Sequence, residues 1–207
     1  MNRTLKLLMI SDIVLLTGLG LISPILAIFI KENLIGGTIA AAGIAGTIYL
    51  ISKSIVQLPF AKYIDSHDHK VKFLILGTFI IALTPFLYIF STHIYQIYLA
   101  QFLYGIGAGL AYPCWLSLYS TNLDKKHEGF EWSVYSTSVG IGVAIAAAIG
   151  ATMAQFIGFR ITFIITGIFA LAGAAILIGL EKKAETLKKT KSKHYHNKRK
   201  VLNHEHV

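Results

Sequence analysis

The chain has 207 residues, of which 55% are hydrophobic and only 14% charged, and its mean hydropathy is +0.63. Soluble domains carry about a quarter charged residues, so the composition excludes a soluble enzyme, a secreted disulfide scaffold and a disordered protein. In so apolar a chain the net charge of +9 reads as membrane topology, not as nucleic-acid binding.

Six apolar stretches follow one another, at 5–30, 37–61, 73–90, 94–120, 132–157 and 161–180. Each is close to the ~20 residues that a helix needs to cross a bilayer. The first is too long, and carries Asp12 too early, for a cleavable signal peptide, whose apolar core runs to roughly 7–15 residues. It reads as an uncleaved anchor. The connectors alternate: 31–36, 91–93 and 158–160 are short and nearly uncharged, whereas 62–72 and 121–131 are longer and charged. With the N-terminus inside, the inner segments hold Arg3, Lys6, Lys62, Lys70, Lys72, Lys125 and Lys126, against Lys31 and Arg160 outside. Basic residues resist translocation, so both termini are expected in the cytoplasm. The sequence therefore predicts an all-α protein of the cell membrane, with a six-helix transmembrane bundle over 1–180 and a disordered, basic cytoplasmic tail over 181–207. The single cysteine, Cys114, allows no internal disulfide. The tail histidines lack a cysteine-bearing scaffold, and no metal or cofactor is expected.

A short pattern recurs. Gly18-Leu-Gly-Leu-Ile-Ser-Pro24 in the first helix and Gly107-Ala-Gly-Leu-Ala-Tyr-Pro113 in the fourth both read GxGLxxP. The two helices run in opposite directions, as an inverted repeat of three plus three helices requires.

Two charges lie within spans. Asp12 sits about 11 Å along the first helix and Lys53 about 12 Å from the same membrane face, at 1.5 Å per residue. Matched depths predict an intramembrane ion pair or proton relay, because a lone charge there costs at least ~2.5–3.5 kcal/mol. On the fourth helix Gln101, Tyr104, Ala108, Tyr112, Trp115 and Tyr119 recur at steps of three and four, forming one stripe. Aromatic bodies with polar tips suit a cavity lining for amphiphilic solutes. Gly105 and Gly109 form a small-residue packing face on that helix, and Gly142, Ala146 and Gly150 repeat it on the fifth.

Several segments resemble the major facilitator superfamily. Ala61-Lys-Tyr-Ile-Asp65-Ser-His-Asp-His-Lys70 is similar to its G-x-x-x-D-R-x-G-R-R/K loop signature, departing at Ala61, Ser66, Asp68 and His69. Gln101-Phe-Leu-Tyr-Gly105-Ile-Gly107 resembles R-x-x-x-G-x-G with Gln101 in the place of an Arg. The run from Gly142 to Ala151 resembles the antiporter pattern G-x-x-x-G-P-x-x-G-G, Gly158-Phe-Arg-Ile-Thr-Phe163 the G-W-R-x-x-F entry to the sixth helix, and Gly18 with Pro24 the drug-antiporter pattern of the first. The resemblance implies the N-terminal six-helix half of such a transporter, as a half-length or truncated member. It implies Asp65 and Lys70 as cytoplasmic gate residues, and movement of a small organic solute or drug-like compound, proton-coupled, by a homodimer or a heterodimer with a second half. A non-transporting membrane partner, or a split half pairing with a separate chain, is the alternative reading. No paired Asp motif, GxSxG nucleophile with a partnered His or HExxH is present, which argues against an enzyme.

Overall fold

The computed structural model describes residues 2–67 and 69–179. The basic tail therefore lies outside the described residues, as does Asp68. Seven helices follow in order: α1 Arg3–Gly20, α2 Leu26–Asn33, α3 Ile39–Asp65, α4 Lys70–Ile89, α5 Ile94–Asn122, α6 Glu128–Ile157 and α7 Phe159–Gly179. Of these, α3, α4, α6 and α7 are long and apolar enough to cross a membrane. Three charges in eighteen residues hold α1 back from that standard, and the Tyr, Gln and Ser of α5 lower its hydropathy.

The first apolar stretch is not one helix, which corrects the sequence expectation. Residues 21–25 form a tightened turn in which Leu21, Ile22 and Ile25 donate to carbonyls three residues back, at 2.9–3.1 Å. Pro24 explains the break: it has no N–H to give to the Gly20 carbonyl. The second copy of the pattern behaves differently, since Pro113 lies inside an unbroken α5. Packing accounts for the contrast. α5 is clamped between α3 and α4 along its length, with Pro113 buried, whereas Ser23 and Pro24 lie exposed in the 21–25 turn.

Close approach makes the clamp possible. A Cβ on Gly105 would meet the Ser52 Cβ at 2.6 Å and the Tyr49 carbonyl at 2.7 Å, and one on Gly109 would meet Val56 at 2.8 Å. On the other flank, Gly107 and Gly77 bring α5 and α4 together, with 2.8 Å from a Gly107 Cβ to the Gly77 carbonyl. Helices without side chains between them approach closely, and van der Waals packing drives their association in lipid.

The resulting order is a row, α3–α5–α1–α6, with α4 behind α5 and α7 against α1. Ser11 Oγ donates to the Gly173 carbonyl at 2.8 Å, tying α1 to α7. At the ends, the Asn2 side chain caps α1 and donates to the Asn122 side chain at 2.9 Å. Ile35 N–H donates to the Thr92 carbonyl at 2.9 Å and Ile94 N–H to the Ile35 carbonyl at 3.1 Å, joining the α2–α3 and α4–α5 connectors. Gly158, at φ +86°, makes the one-residue reversal from α6 to α7 that a side chain would strain.

Gly105→Val is expected to destabilise the α3–α5 seam by about 1–3 kcal/mol, as overpacking does. Gly43 meets nothing within 4 Å, and Gly43→Ala is expected to gain up to ~1 kcal/mol of helix propensity. Thermal unfolding of the detergent-solubilised protein reads both. Equal melting temperatures for the two variants would contradict the packing assigned to Gly105.

Candidate functional site

The α5 stripe faces internal space. A cavity of about 350 Å³ lies beside the 21–25 turn and is lined by Gln101 and Tyr104 together with Ser23, Thr84 and Tyr88. A smaller one of about 100 Å³, towards the N-terminal end of α1, is lined by Asp12, Tyr49, Tyr104, Tyr112 and Trp115. The two share Leu16, Leu19 and Tyr104, so they adjoin along α1. Tyr119 lines neither. It is fully buried, donates to the Glu131 carbonyl at 3.0 Å, and stacks among Trp115, Trp132 and Tyr135 with centroids 4.5–5.4 Å away. The α4 contribution (Thr84, Tyr88) and the α6 aromatics (Trp132, Tyr135) carry no distinctive spacing, which is why sequence reasoning missed them.

Polar groups in the lining have specific partners. Gln101 is 5% exposed and its Nε2 donates to the Tyr88 hydroxyl oxygen at 3.2 Å. Tyr49 and Tyr104 stack at 4.4 Å. The buried Trp115 Nε1–H has no partner among the described residues.

Asp12 and Lys53 do not meet in this conformation, where the sequence predicts an ion pair or relay between them. The Tyr135 hydroxyl on α6 donates to the Asp12 carboxylate. The Lys53 ammonium lies 4.6 Å from the centroid of the Tyr112 ring on α5. Helix order gives the reason: α5 stands between α1 and α3, so equal depth does not make these side chains neighbours. Each charge still has compensation. A hydrogen bond to an ionised group is worth about 1.5–3 kcal/mol, and a desolvated cation–π contact about 2 kcal/mol.

At the connector ends, Lys70 Nζ donates to Ser117 Oγ at 2.7 Å, linking the start of α4 to α5. Asp65 is exposed at the end of α3 and makes no ion pair among the described residues. In the α5–α6 connector the Glu131 carboxylate accepts from Asp124 N–H at 2.9 Å. The Asp124 carboxyl is held below the usual range, first by the Lys126 N–H and then by His127. Among the glycines, Gly142 abuts Thr17 and Gly150 abuts the Leu21 carbonyl, both on the α1 side, while Gly18 faces Phe169 of α7. Pro24 is exposed in its turn. Among the described residues no three His, Cys, Asp or Glu converge as metal ligands.

A sequence profile described as the Major Facilitator Superfamily matches residues 8–204. An uncharacterized MFS-type transporter of Methanocaldococcus jannaschii is 21% identical over 176 residues, covering 85% of this chain and 45% of that protein. Multidrug resistance protein 2 of Bacillus subtilis is 25% identical over 199 residues, covering 95% and 48%. The quinolone resistance protein NorA of Staphylococcus aureus is 22% identical over 189 residues, covering 90% and 48%. The chain thus spans about half the length of these relatives. The solved structure of the POT family transporter PepTSo superposes with a TM-score of 0.76 at 15% identity, over 88% of this chain and 38% of that one, and so shares the fold.

A double-mutant cycle tests the partners of Asp12. Asp12→Asn and Tyr135→Phe are expected to be non-additive in thermal stability, by about 1–2 kcal/mol, because they share one charge-assisted hydrogen bond. Asp12→Asn and Lys53→Gln are expected to add. Additivity in the first pair, or strong coupling in the second, would mean that the resting partners are not those described.

Proposed function

Because the chain belongs to the Major Facilitator Superfamily, we propose that it forms a six-span half of a secondary transporter for a small, drug-like organic solute. The adjoining cavities carry this reading. They place tyrosines, a glutamine and one carboxylate inside an apolar bundle, where polar side chains are costly unless they serve a pathway. The names of the B. subtilis and S. aureus relatives support drug-like compounds as substrates, and a quinolone is a fitting first probe. Asp12, hydrogen-bonded by Tyr135, is the group to exchange a proton, which makes the transport proton-coupled antiport.

In this reading α1 and α2 together make the first of six crossings. The contacts support an inverted repeat: the first helix of each three-helix group packs on the second helix of the other, α1 on α6 and α5 on α3. The Lys/Arg asymmetry supports a cell-membrane protein with both termini in the cytoplasm. Asp65 and Lys70 then lie at the cytoplasmic ends of α3 and α4, where the gate belongs.

The partner is a second six-helix body. Alternating access needs two bodies to rock against each other. α3 and α6, at the two ends of the row, are the least buried of the four long apolar helices, with Leu50 57%, Ile55 67% and Ile145 56% exposed. A second copy related by a twofold axis supplies that body most simply, and a separately encoded half is the alternative. Substituted gate positions such as Ser66 and His69 favour, as a second reading, a membrane partner that no longer transports.

Three measurements follow. A cysteine at Glu32 is expected to react with an impermeant maleimide added outside sealed cells, and one at Ser192 only after permeabilisation; labelling at Ser192 from outside would overturn the topology. The purified complex is expected at twice the 22.7 kDa chain mass once detergent is subtracted. In proteoliposomes a proton gradient is expected to drive quinolone flux that Asp12→Asn abolishes. Persistent monomers that still move solute would refute the two-body mechanism, and dimers without flux of any solute would favour the non-transporting reading.

A further inference from the structure

The larger cavity carries a recognition element on its α4–α5 wall. Gln101 and Tyr88 both line it, 5% and 3% exposed, and Gln101 Nε2 donates to the Tyr88 phenol oxygen at 3.2 Å. Among the described residues nothing donates to Gln101 Oε1, and the Tyr88 hydroxyl hydrogen has no acceptor. Side by side, then, the pair offers one acceptor and one donor. Turning the amide over does not change this. Tyr88 would donate to Oε1, and the cavity would meet an Nε2–H donor beside the phenol oxygen.

The complement of such a pair is a group with an N–H beside a C=O. An amide edge closes a ring of three hydrogen bonds: ligand N–H to Gln101 Oε1, Gln101 N–H to Tyr88 Oη, and Tyr88 O–H to the ligand carbonyl. Chains of hydrogen bonds reinforce one another in a low-dielectric interior. Charge is unwelcome at the same place. No Asp, Glu, Lys, Arg or His lines this cavity, and an ionised head without a counter-ion pays a large desolvation cost. The remaining wall, with Leu16, Leu19, Leu26 and Val143, is apolar, and about 350 Å³ suits a small ligand body. Gly20 also lines the cavity, and its carbonyl lacks the helical donor that Pro24 cannot supply.

We propose that this cavity binds an uncharged amphiphile through an amide edge, with Gln101 and Tyr88 as the recognising pair. The proposal deepens the transport reading, on which its role as a substrate site rests, but binding is measurable without transport.

The test is equilibrium dialysis of the purified full chain in zwitterionic nanodiscs with radiolabelled 4-butylbenzamide, its N,N-dimethyl amide and 4-butylbenzoate. Saturable binding of the primary amide is expected, with the other two at least about tenfold weaker, the loss of roughly one buried hydrogen bond. Gln101→Leu and Tyr88→Phe are each expected to weaken the amide by a similar factor and leave non-saturable partitioning unchanged. Should Gln101→Leu fail to fold by size exclusion, Tyr88→Phe and the three ligands on the unaltered chain decide. Equal affinity for the three ligands, or an amide affinity untouched by Tyr88→Phe, overturns the proposal. Selective amide binding without flux of any solute would leave the site standing and remove the transport reading. Flux of solutes with no amide preference would do the reverse.

Discussion

Backbone-to-backbone approach around α5 is the constraint on which the other features depend. In lipid no hydrophobic force drives one apolar helix onto another, so association needs close van der Waals contact. Gly105 and Gly109 supply it towards α3, and Gly107 with Gly77 towards α4, at separations that a single Cβ would close to 2.5–2.8 Å. Held on both flanks, α5 keeps its helix through Pro113 and fixes the direction of its aromatic stripe. The cavities are then the space left on the third side, against α1. Loosening the seams would move Gln101, Tyr104 and Tyr112, and with Tyr112 the Lys53 contact.

Much of the fold was legible in the sequence because lipid imposes length and charge rules on each segment separately. The stretch at 94–120 corresponds to α5 Ile94–Asn122, and that at 132–157 to the apolar part of α6 Glu128–Ile157, whose first turn carries Glu128 and Glu131. The stripe on α5 was legible for the same reason, since helical spacing alone puts Gln101, Tyr104 and Tyr112 on one face. The break at 21–25 was not. Both copies of GxGLxxP contain the same helix-breaking residue at the same place, and only the neighbours decide which copy bends. A proline costs its helix a hydrogen bond and a clash; Pro113 is buried within the packed seams of α5, whereas Pro24 is exposed at the edge of its turn.

The partners of Asp12 and Lys53 were illegible for a related reason. Depth in a membrane is one coordinate, and sequence supplies it well. Adjacency is a second coordinate, and it follows from which glycine faces find each other. Asp12 faces Tyr135 because Gly142 and Gly150 let α6 close on the α1 side of the row. Lys53 reaches Tyr112 because Gly105 and Gly109 let α3 close on α5. Packing of small residues thus selected the electrostatic partners.

The same pattern distributes strength unevenly across the row α3–α5–α1–α6. The glycine faces and the charge-bearing contacts fall on the two outer seams, Lys53 over Tyr112 between α3 and α5, and Asp12 with Tyr135 between α1 and α6. The middle seam, between α5 and α1, has neither, and it is where both cavities lie. A hydrogen bond to an ionised group is worth about 1.5–3 kcal/mol and a desolvated cation–π contact about 2 kcal/mol, so each outer pair resists separation. Opening space between α1 and α5 gives up only apolar contacts and neutral hydrogen bonds, each worth less than a charge-assisted one. The bundle therefore has two stapled outer seams and a cavity-bearing seam between α1 and α5, which the Tyr119–Glu131 bond and the ring cluster of α5 and α6 span at one end. In the proposed transport reading, a solute entering that seam would part α1 from α5 without breaking either the Asp12–Tyr135 or the Lys53–Tyr112 contact. Should it bring a proton to Asp12, the α1–α6 staple weakens to a neutral hydrogen bond. In the proposed transport reading, protonation of Asp12 and occupancy of the seam are linked through α1, whose Asp12 also lines the smaller cavity.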